Sequence, residues 1–218
     1  GDDRLIGGAG ADSLVGGAGY DLASYEDSAV GITVDMASSG SNTGDALGDT
    51  YSGIEAIGGS PFNDVLRGDF QANNLFGGLG NDTLVGRDGN DTLFGEAGDD
   101  VLNGGNGADA LSGGDGMDMA SYADATAAVT VDLAAPGSNT GEALGDVYYS
   151  IEGVIGTNYA DTLRGDAGAN TFYGGGDIDT IYGMGGNDTL FGEAGQDRLY
   201  GGAGDDLLYG GDNEDRLV

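Results

Sequence analysis

The chain has 218 residues, including 48 glycines and two prolines, and it contains no cysteine, histidine or tryptophan. Its formal net charge is −32, because 38 acidic residues stand against six basic residues, all of them arginine. This balance excludes nucleic-acid and anionic-lipid ligands, which need basic patches. The absence of histidine and cysteine excludes the usual zinc sites and Ser-His or Cys-His nucleophiles. No apolar run is long enough to insert into a membrane.

The first 24 residues consist of nine-residue blocks that begin with glycine. Residues 1–6 form the tail of one block, and GGAGADSLV (7–15) and GGAGYDLAS (16–24) follow. The last block, GGDNEDRLV, is complete at Val218. Because the pattern is already under way at residue 1, we expect the chain to be part of a larger parent protein.

Residues 25–58 interrupt this pattern. Val30, Ile32, Val34 and Met36 alternate with small or polar residues, which predicts a strand buried on one face. The SNTGDALGD stretch that follows is polar and rich in turn residues. An insert of 34 residues is shorter than the roughly 40 that usually fold alone, so we expect it to continue the structure of its neighbours.

The clearest blocks occupy residues 77–121 and read GGLGNDTLV, GRDGNDTLF, GEAGDDVLN, GGNGADALS and GGDGMDMAS. They follow the pattern GGxGxDxUx, in which U is apolar. Gly78 and Gly80 permit a tight loop with exposed carbonyls, and Asp82 adds a carboxylate. Both are the hard oxygen ligands that calcium selects. In a short strand the eighth residue, such as Leu84, points inward.

One inward side chain per block cannot form a core, so the blocks must stack. Two blocks make one coil, and residues eighteen apart then lie over one another. The stacking pairs Asp82 with Asp100 and Asp91 with Asp109, with a metal ion between each pair of loops. The alternative is a disordered Gly/Asp linker, which has no reason to keep an apolar residue at every eighth position.

This motif resembles the calcium-binding repeat of RTX proteins. The resemblance implies an all-β fold, a parallel β-roll or solenoid of stacked nonapeptides, in which loop carbonyls complete the calcium coordination. It also implies type I secretion and an extracellular or cell-surface location. The stretch from Ile54 to Gly59 is similar to a segment in the noncatalytic C-terminal domain of serralysin metalloproteases. That likeness implies calcium binding by Glu55 and Glu152, although Gly53 replaces a threonine of that family.

The chain contains two tandem copies of a 97-residue unit, because the second insert matches the first without a gap. The predicted organisation is a β-roll end, an insert, seven nonapeptides, a second insert and seven more nonapeptides, at residues 1–24, 25–58, 59–121, 122–155 and 156–218. The repeats after each insert, GSPFNDVLR and GTNYADTLR, lack two loop glycines.

The predicted calcium ligands occupy the sixth position of a repeat or belong to a glycine loop. They are Asp3, Asp12, Asp21, Glu55, Asp64, Asn73, Gly78, Gly80, Asp82, Asp91, Asp100, Asp109, Asp118, Glu152, Asp161, Asn170, Asp179, Asp188, Asp197, Asp206 and Asp215. Stacked pairs of these residues predict about nine to thirteen calcium ions.

We therefore expect a calcium-binding module, not an enzyme, that folds on calcium binding after secretion and stabilises a larger extracellular protein. The alternative is an adhesive or polysaccharide-binding segment with a glycan or cell-surface partner. Two columns of position-nine aromatic residues suggest it, namely Tyr173, Phe191 and Tyr209 on one face and Tyr182 and Tyr200 on the other. Stacked aromatic side chains can instead simply stabilise neighbouring strands.

Overall fold

The computed structural model describes residues 1–218, and its regular elements are 23 β-strands and four short 3-10 turns. The chain divides into two compact units, Gly1–Asp118 and Met119–Val218. Each unit is a parallel β-roll, which confirms the predicted fold class. No helix in the structure has the length and apolar character needed to cross a membrane.

The first unit contains twelve strands. They are β1 (Arg4–Leu5), β2 (Ser13–Val15), β3 (Leu22–Ser24), β4 (Thr33–Asp35), β5 (Thr50–Ser52), β6 (Ala56–Gly58), β7 (Val65–Arg67), β8 (Asn74–Leu79), β9 (Thr83–Asp88), β10 (Thr92–Ala97), β11 (Val101–Asn106) and β12 (Ala110–Asp115). Its 3-10 turns cover Ser39–Ser41 and Gly44–Ala46. One parallel sheet has the order β1-β3-β6-β8-β10-β12, a second has the order β4-β7-β9-β11, and β2 pairs with β5.

The second unit contains eleven strands. They are β13 (Met119–Ser121), β14 (Thr130–Asp132), β15 (Val147–Tyr149), β16 (Gly153–Ile155), β17 (Thr162–Arg164), β18 (Thr171–Gly176), β19 (Thr180–Gly185), β20 (Thr189–Ala194), β21 (Arg198–Ala203), β22 (Leu207–Asp212) and β23 (Arg216–Leu217). Its 3-10 turns cover Pro136–Ser138 and Gly141–Ala143. Within this unit the parallel orders are β13-β16-β18-β20-β22 and β14-β17-β19-β21-β23.

The register of the nonapeptide strands confirms stacking at eighteen residues. Leu75, Leu93 and Leu111 lie side by side on β8, β10 and β12, and each is fully buried. The flanking residues of these strands are partly exposed. Fully burying one leucine contributes about 1.5–3 kcal/mol relative to exposure. The eighth position of each repeat therefore builds the core, one side chain per strand.

Strands from the inserts also join the parallel sheets. In the first unit β4 pairs with β7 and places Val34 beside Leu66, while β6 pairs with both β3 and β8. The predicted strand is wrong at its N-terminal end, because Val30 is 52% exposed and β4 begins only at Thr33. The Ile32 N–H donates to the Asp64 carboxylate, so the regular ladder cannot start earlier.

Candidate metal centres

The aspartates at position six are stacked through their own carboxylates. The backbone N–H of Asp82 donates to Oδ1 of Asp100 at 2.7 Å, and that of Asp91 donates to Oδ1 of Asp109 at 2.7 Å. Further bonds of this kind, each eighteen residues apart, join Asp3 to Asp21, Asp64 to Asp82, Asn73 to Asp91, Asp100 to Asp118, Asp161 to Asp179, Asn170 to Asp188, Asp179 to Asp197, Asp188 to Asp206 and Asp197 to Asp215. One carboxylate oxygen thus holds the register of the coils.

The second carboxylate oxygen behaves differently. In ten aspartates Oδ2 is buried and has no hydrogen-bond partner, namely in Asp12, Asp21, Asp82, Asp91, Asp100, Asp109, Asp118, Asp179, Asp188 and Asp197. Leaving a buried acceptor unsatisfied costs about 1–3 kcal/mol, and more when the group is charged. Each of these ten oxygens can be satisfied by a bound cation or by a proton.

Six of the unpartnered oxygens have a main-chain oxygen beside them. A Cβ on Gly77, the first glycine of its repeat, would meet both Oδ2 of Asp82 and the carbonyl oxygen of Gly95. The corresponding arrangement recurs at Gly86, Gly95, Gly174, Gly183 and Gly192. A carboxylate and a carbonyl from successive coils therefore converge where a side chain is missing. This donor set fits calcium, which binds through hard oxygen ligands.

Acidic side chains alone cannot complete these sites. The structure contains no group of three or more Asp or Glu side chains that could hold a metal ion. Loop carbonyls must supply the remaining ligands, and the loops are shaped for this, since Gly78 and Gly80 have φ values of +105° and +112°. These left-handed values favour glycine and turn successive peptide groups in different directions.

A family comparison agrees with this chemistry. The RTX calcium-binding nonapeptide repeat matches residues 1–23, 50–84, 58–93, 85–119, 154–181 and 182–217, which together cover more than half of the chain. The chain belongs to the RTX calcium-binding repeat family. Residues 24–49 and 120–153, which lie outside these matches, fall largely within the two inserts. No curated protein matches the chain.

Burial raises the pKa of several RTX aspartates when no cation is present. Burial, opposed by the hydrogen bond from Asp64 N–H and reinforced by neighbouring carboxylates, raises the pKa of Asp82 to about 7. The same causes raise the pKa of Asp179 to about 7 and that of Asp91 to about 6. Protons and cations therefore compete for these carboxylates near neutral pH.

The repeats that follow the inserts, GSPFNDVLR and GTNYADTLR, contain donors that form hydrogen bonds to their own aspartate. Asp64 accepts hydrogen bonds from the Ser60 N–H and, at 2.8 Å, from the Ser60 hydroxyl. Asp161 has the same contacts with the N–H and hydroxyl of Thr157. Neither residue has an unpartnered buried oxygen. The Oδ2 atom that stays unpartnered in the regular repeats thus accepts the N–H of Ser60 or Thr157 here, and the hydroxyl group bonds Oδ1.

The asparagine repeats likewise lack a free buried oxygen. The Asn73 side-chain oxygen accepts the Asp69 N–H, and that of Asn170 accepts the Asp166 N–H. The Asn170 amide group also donates to the Glu152 carbonyl at 3.3 Å. Glu55 belongs to the same series of stacked position-six residues, because its Oε2 accepts the Asp21 N–H at 2.9 Å. The structure therefore brings Glu55 into the position of a sixth residue.

The sequence analysis did not identify two residues that lie in this stacked series, Asp49 and its counterpart Asp146. Oδ1 of Asp49 accepts the Asp12 N–H at 2.8 Å, and its Oδ2 accepts the Tyr25 hydroxyl at 2.7 Å. Asp146 accepts the Tyr122 hydroxyl in the same way. The signal was present, since DTYS at residues 49–52 has the spacing of a repeat's last four positions.

Proposed function

We propose that this RTX chain folds on calcium binding and stabilises a larger extracellular protein. The observation that supports this most directly is the set of ten buried Oδ2 atoms without hydrogen-bond partners. Oδ1 of all these carboxylates except that of Asp12 builds the coil register, so folding brings the carboxylates into buried positions. Calcium would supply the positive charge that these aspartates and the neighbouring carbonyls face.

Electrostatics make folding and binding a single event. A formal charge of −32 disfavours a compact state, and the stacked carboxylates concentrate that repulsion in the loops. A preformed site rarely exists in an unfolded chain, so the binding free energy becomes folding free energy. We propose about ten strong sites, one at each unpartnered oxygen, within the nine to thirteen that the sequence predicts.

We further propose that the parent protein is secreted, in keeping with the RTX family. A chain that stays unfolded in calcium-poor cytosol and folds in calcium-rich surroundings suits export as an extended polypeptide. A catalytic role has no support in the site, because the buried acidic side chains of the repeats belong to the coil ladder or to its hydrogen bonds.

Circular dichroism during a calcium titration tests the proposal. In excess chelator at low salt we expect a spectrum without β-structure, and millimolar calcium should restore the β-roll signal cooperatively. Magnesium at the same concentration is the control, because it is smaller and demands stricter octahedral geometry. A β-rich spectrum in chelator would refute calcium-driven folding.

The adhesive alternative receives less support from the aromatic columns. The Tyr173 and Phe191 rings stack at 4.8 Å, and Tyr182 stacks on Tyr200 at 5.0 Å. Rings packed face to face present their edges outward, whereas a sugar platform needs an open face. A glycan array probed with and without calcium separates the two functions, because binding of an oligosaccharide by the folded roll would favour adhesion.

A further inference from the structure

A groove of about 370 Å³ lies on the first unit beside a calcium loop, because Gly78 is among the residues that line it. It opens at position nine of the first sheet, where Gly58 pairs with Phe76 and Phe76 pairs with Phe94. Phe76 stacks on Phe94 at 5.0 Å, with ring planes 5° apart. The opposite face of the Phe76 ring is therefore directed towards a residue that has no side chain.

The fold does not require glycine at this place. Gly58 does not have a left-handed φ, and an added Cβ would meet only Leu22 and Ser24 at the ordinary contact distances of 3.7 and 3.9 Å. The second unit carries Ile155 at the equivalent position, paired with Tyr173 in the same register. The groove is thus an opening that the architecture could have filled, and its tandem copy carries a larger side chain at this place.

The Tyr182–Tyr200 stack in the second unit shows which kind of group packs on the outer face of a terminal ring. Arg164 precedes Tyr182 in the position-nine register, as Gly58 precedes Phe76. The Arg164 guanidinium lies 4.8 Å from the centre of the Tyr182 ring. At the other end of that stack, Arg216 lies 5.8 Å from the Tyr200 ring. The second unit therefore closes both ends of this aromatic stack with cations.

The charges around the groove complement such a cation. Glu26 and Glu96 both line it, together with the apolar side chains of Pro61 and Leu79. Glu26 also forms an ion pair with Arg4, whereas Glu96 is exposed and forms no ion pair. A ring face attracts a cation electrostatically, and nearby carboxylates strengthen that attraction.

We propose that this groove binds an arginine side chain presented by a partner polypeptide, with the guanidinium over Phe76 and towards Glu96. The apolar walls would take the aliphatic stem of the arginine, since long basic side chains bury their methylene groups and keep the charged head polar. A volume of about 370 Å³ is at the small end of ordinary ligand pockets, which suits one side chain and its flanking backbone.

The test is an NMR titration of the full chain in saturating calcium with the peptide acetyl-Gly-Leu-Arg-Leu-Gly-amide. We expect chemical-shift changes at the amides of residues 58–61 and 76–79 and at the Phe76 ring. The same peptide with citrulline, which is neutral and nearly isosteric, should bind about five- to tenfold more weakly. Glu96→Gln should weaken the arginine peptide about two- to fivefold, and added salt should reduce that difference.

The tandem copy supplies the matched variants. Gly58→Ile copies the second unit and should abolish the shifts while leaving the calcium-induced β-spectrum unchanged. Ile155→Gly should create a new set of shifts around Tyr173. Equal affinity for the citrulline peptide, unchanged binding by Gly58→Ile, or absence of shifts at these residues would each overturn the proposal. So would shifts at the same amides caused by cellohexaose but not by the arginine peptide.

Discussion

Replacing Asp82 by asparagine should change stability in opposite directions with and without calcium. Oδ1 of Asp82 accepts the Asp64 N–H at 2.8 Å, and asparagine can keep that bond with its side-chain oxygen. Its buried Oδ2 has no partner, so the substitution removes a desolvated charge where nothing compensates it. The chain already carries asparagine at Asn170, where the side-chain oxygen instead accepts the Asp166 N–H and the amide donates to the carbonyl of Glu152.

The magnitude follows from the unsatisfied oxygen. In chelator, Asp82→Asn should stabilise the roll by about 1–3 kcal/mol, which is the usual cost of an unpartnered buried polar group. In calcium, losing a charged ligand should cost about 1–2 kcal/mol, which corresponds to about a five- to thirtyfold loss in affinity. The variant should therefore be more stable than the wild type in chelator and less stable than the wild type in calcium.

The assay is circular dichroism in two series, one with calcium and one with chelator plus trimethylamine oxide, an osmolyte that favours compact states. Asp64→Asn is the matched control, because both oxygens of Asp64 already accept hydrogen bonds from Ser60. It should destabilise the roll in both series. If Asp82→Asn destabilised the roll in chelator as well, the unpartnered oxygen would not be the source of the calcium requirement.

Three further predictions concern other parts of the fold. Arg87→Met, which copies the second unit, breaks two hydrogen bonds to Asp35 of 2.7 and 2.9 Å, so it should cost about 2 kcal/mol and expose the first insert to hydrogen exchange. Met184→Arg in the second unit is its reciprocal control. Burial, opposed by the hydrogen bond with Tyr25, raises the pKa of Tyr51 to about 12. The neutral phenol is thus favoured by folding, so stability should be complete below about pH 10 and decline between about pH 10 and 12, which tyrosinate absorbance will follow. Leu93→Ala should cost about 2–5 kcal/mol, with exchange protection lost mainly in strands adjacent to β10, because coils contact their neighbours; uniform loss over residues 1–118 would contradict this.

Much of the fold could be predicted from one recurring physical constraint. A short strand with a single inward side chain has to stack, and the eighteen-residue spacing then fixes which leucines touch. Leu75, Leu93 and Leu111 lie in the register that this arithmetic requires. Every repeat has its apolar residue at the same position, so the predicted strand register agrees with the structure.

The details of the site were less accessible, because they depend on which oxygen meets which donor. Asp64 and Asp82 are equivalent in the repeat pattern, yet Oδ2 of Asp64 accepts the Ser60 N–H, whereas Oδ2 of Asp82 has no hydrogen-bond partner. Asp49 escaped notice since its partner Asp12 lies 37 residues away, across an insert of irregular length. Tyr25, the donor to Asp49, has no repeat position of its own. Such partners become visible only when the chain is folded.

The most direct measurement is anomalous diffraction from crystals grown in calcium, with data collected at a wavelength where calcium scatters anomalously. We expect a peak beside the unpartnered oxygen of each regular-repeat aspartate, such as Asp82 and Asp179. We expect no peak in contact with Asp64 or Asp161, whose oxygens already accept hydrogen bonds from Ser60 and Thr157. Peaks absent from Asp82 and Asp179, or of equal height at Asp64 and Asp161, would contradict it.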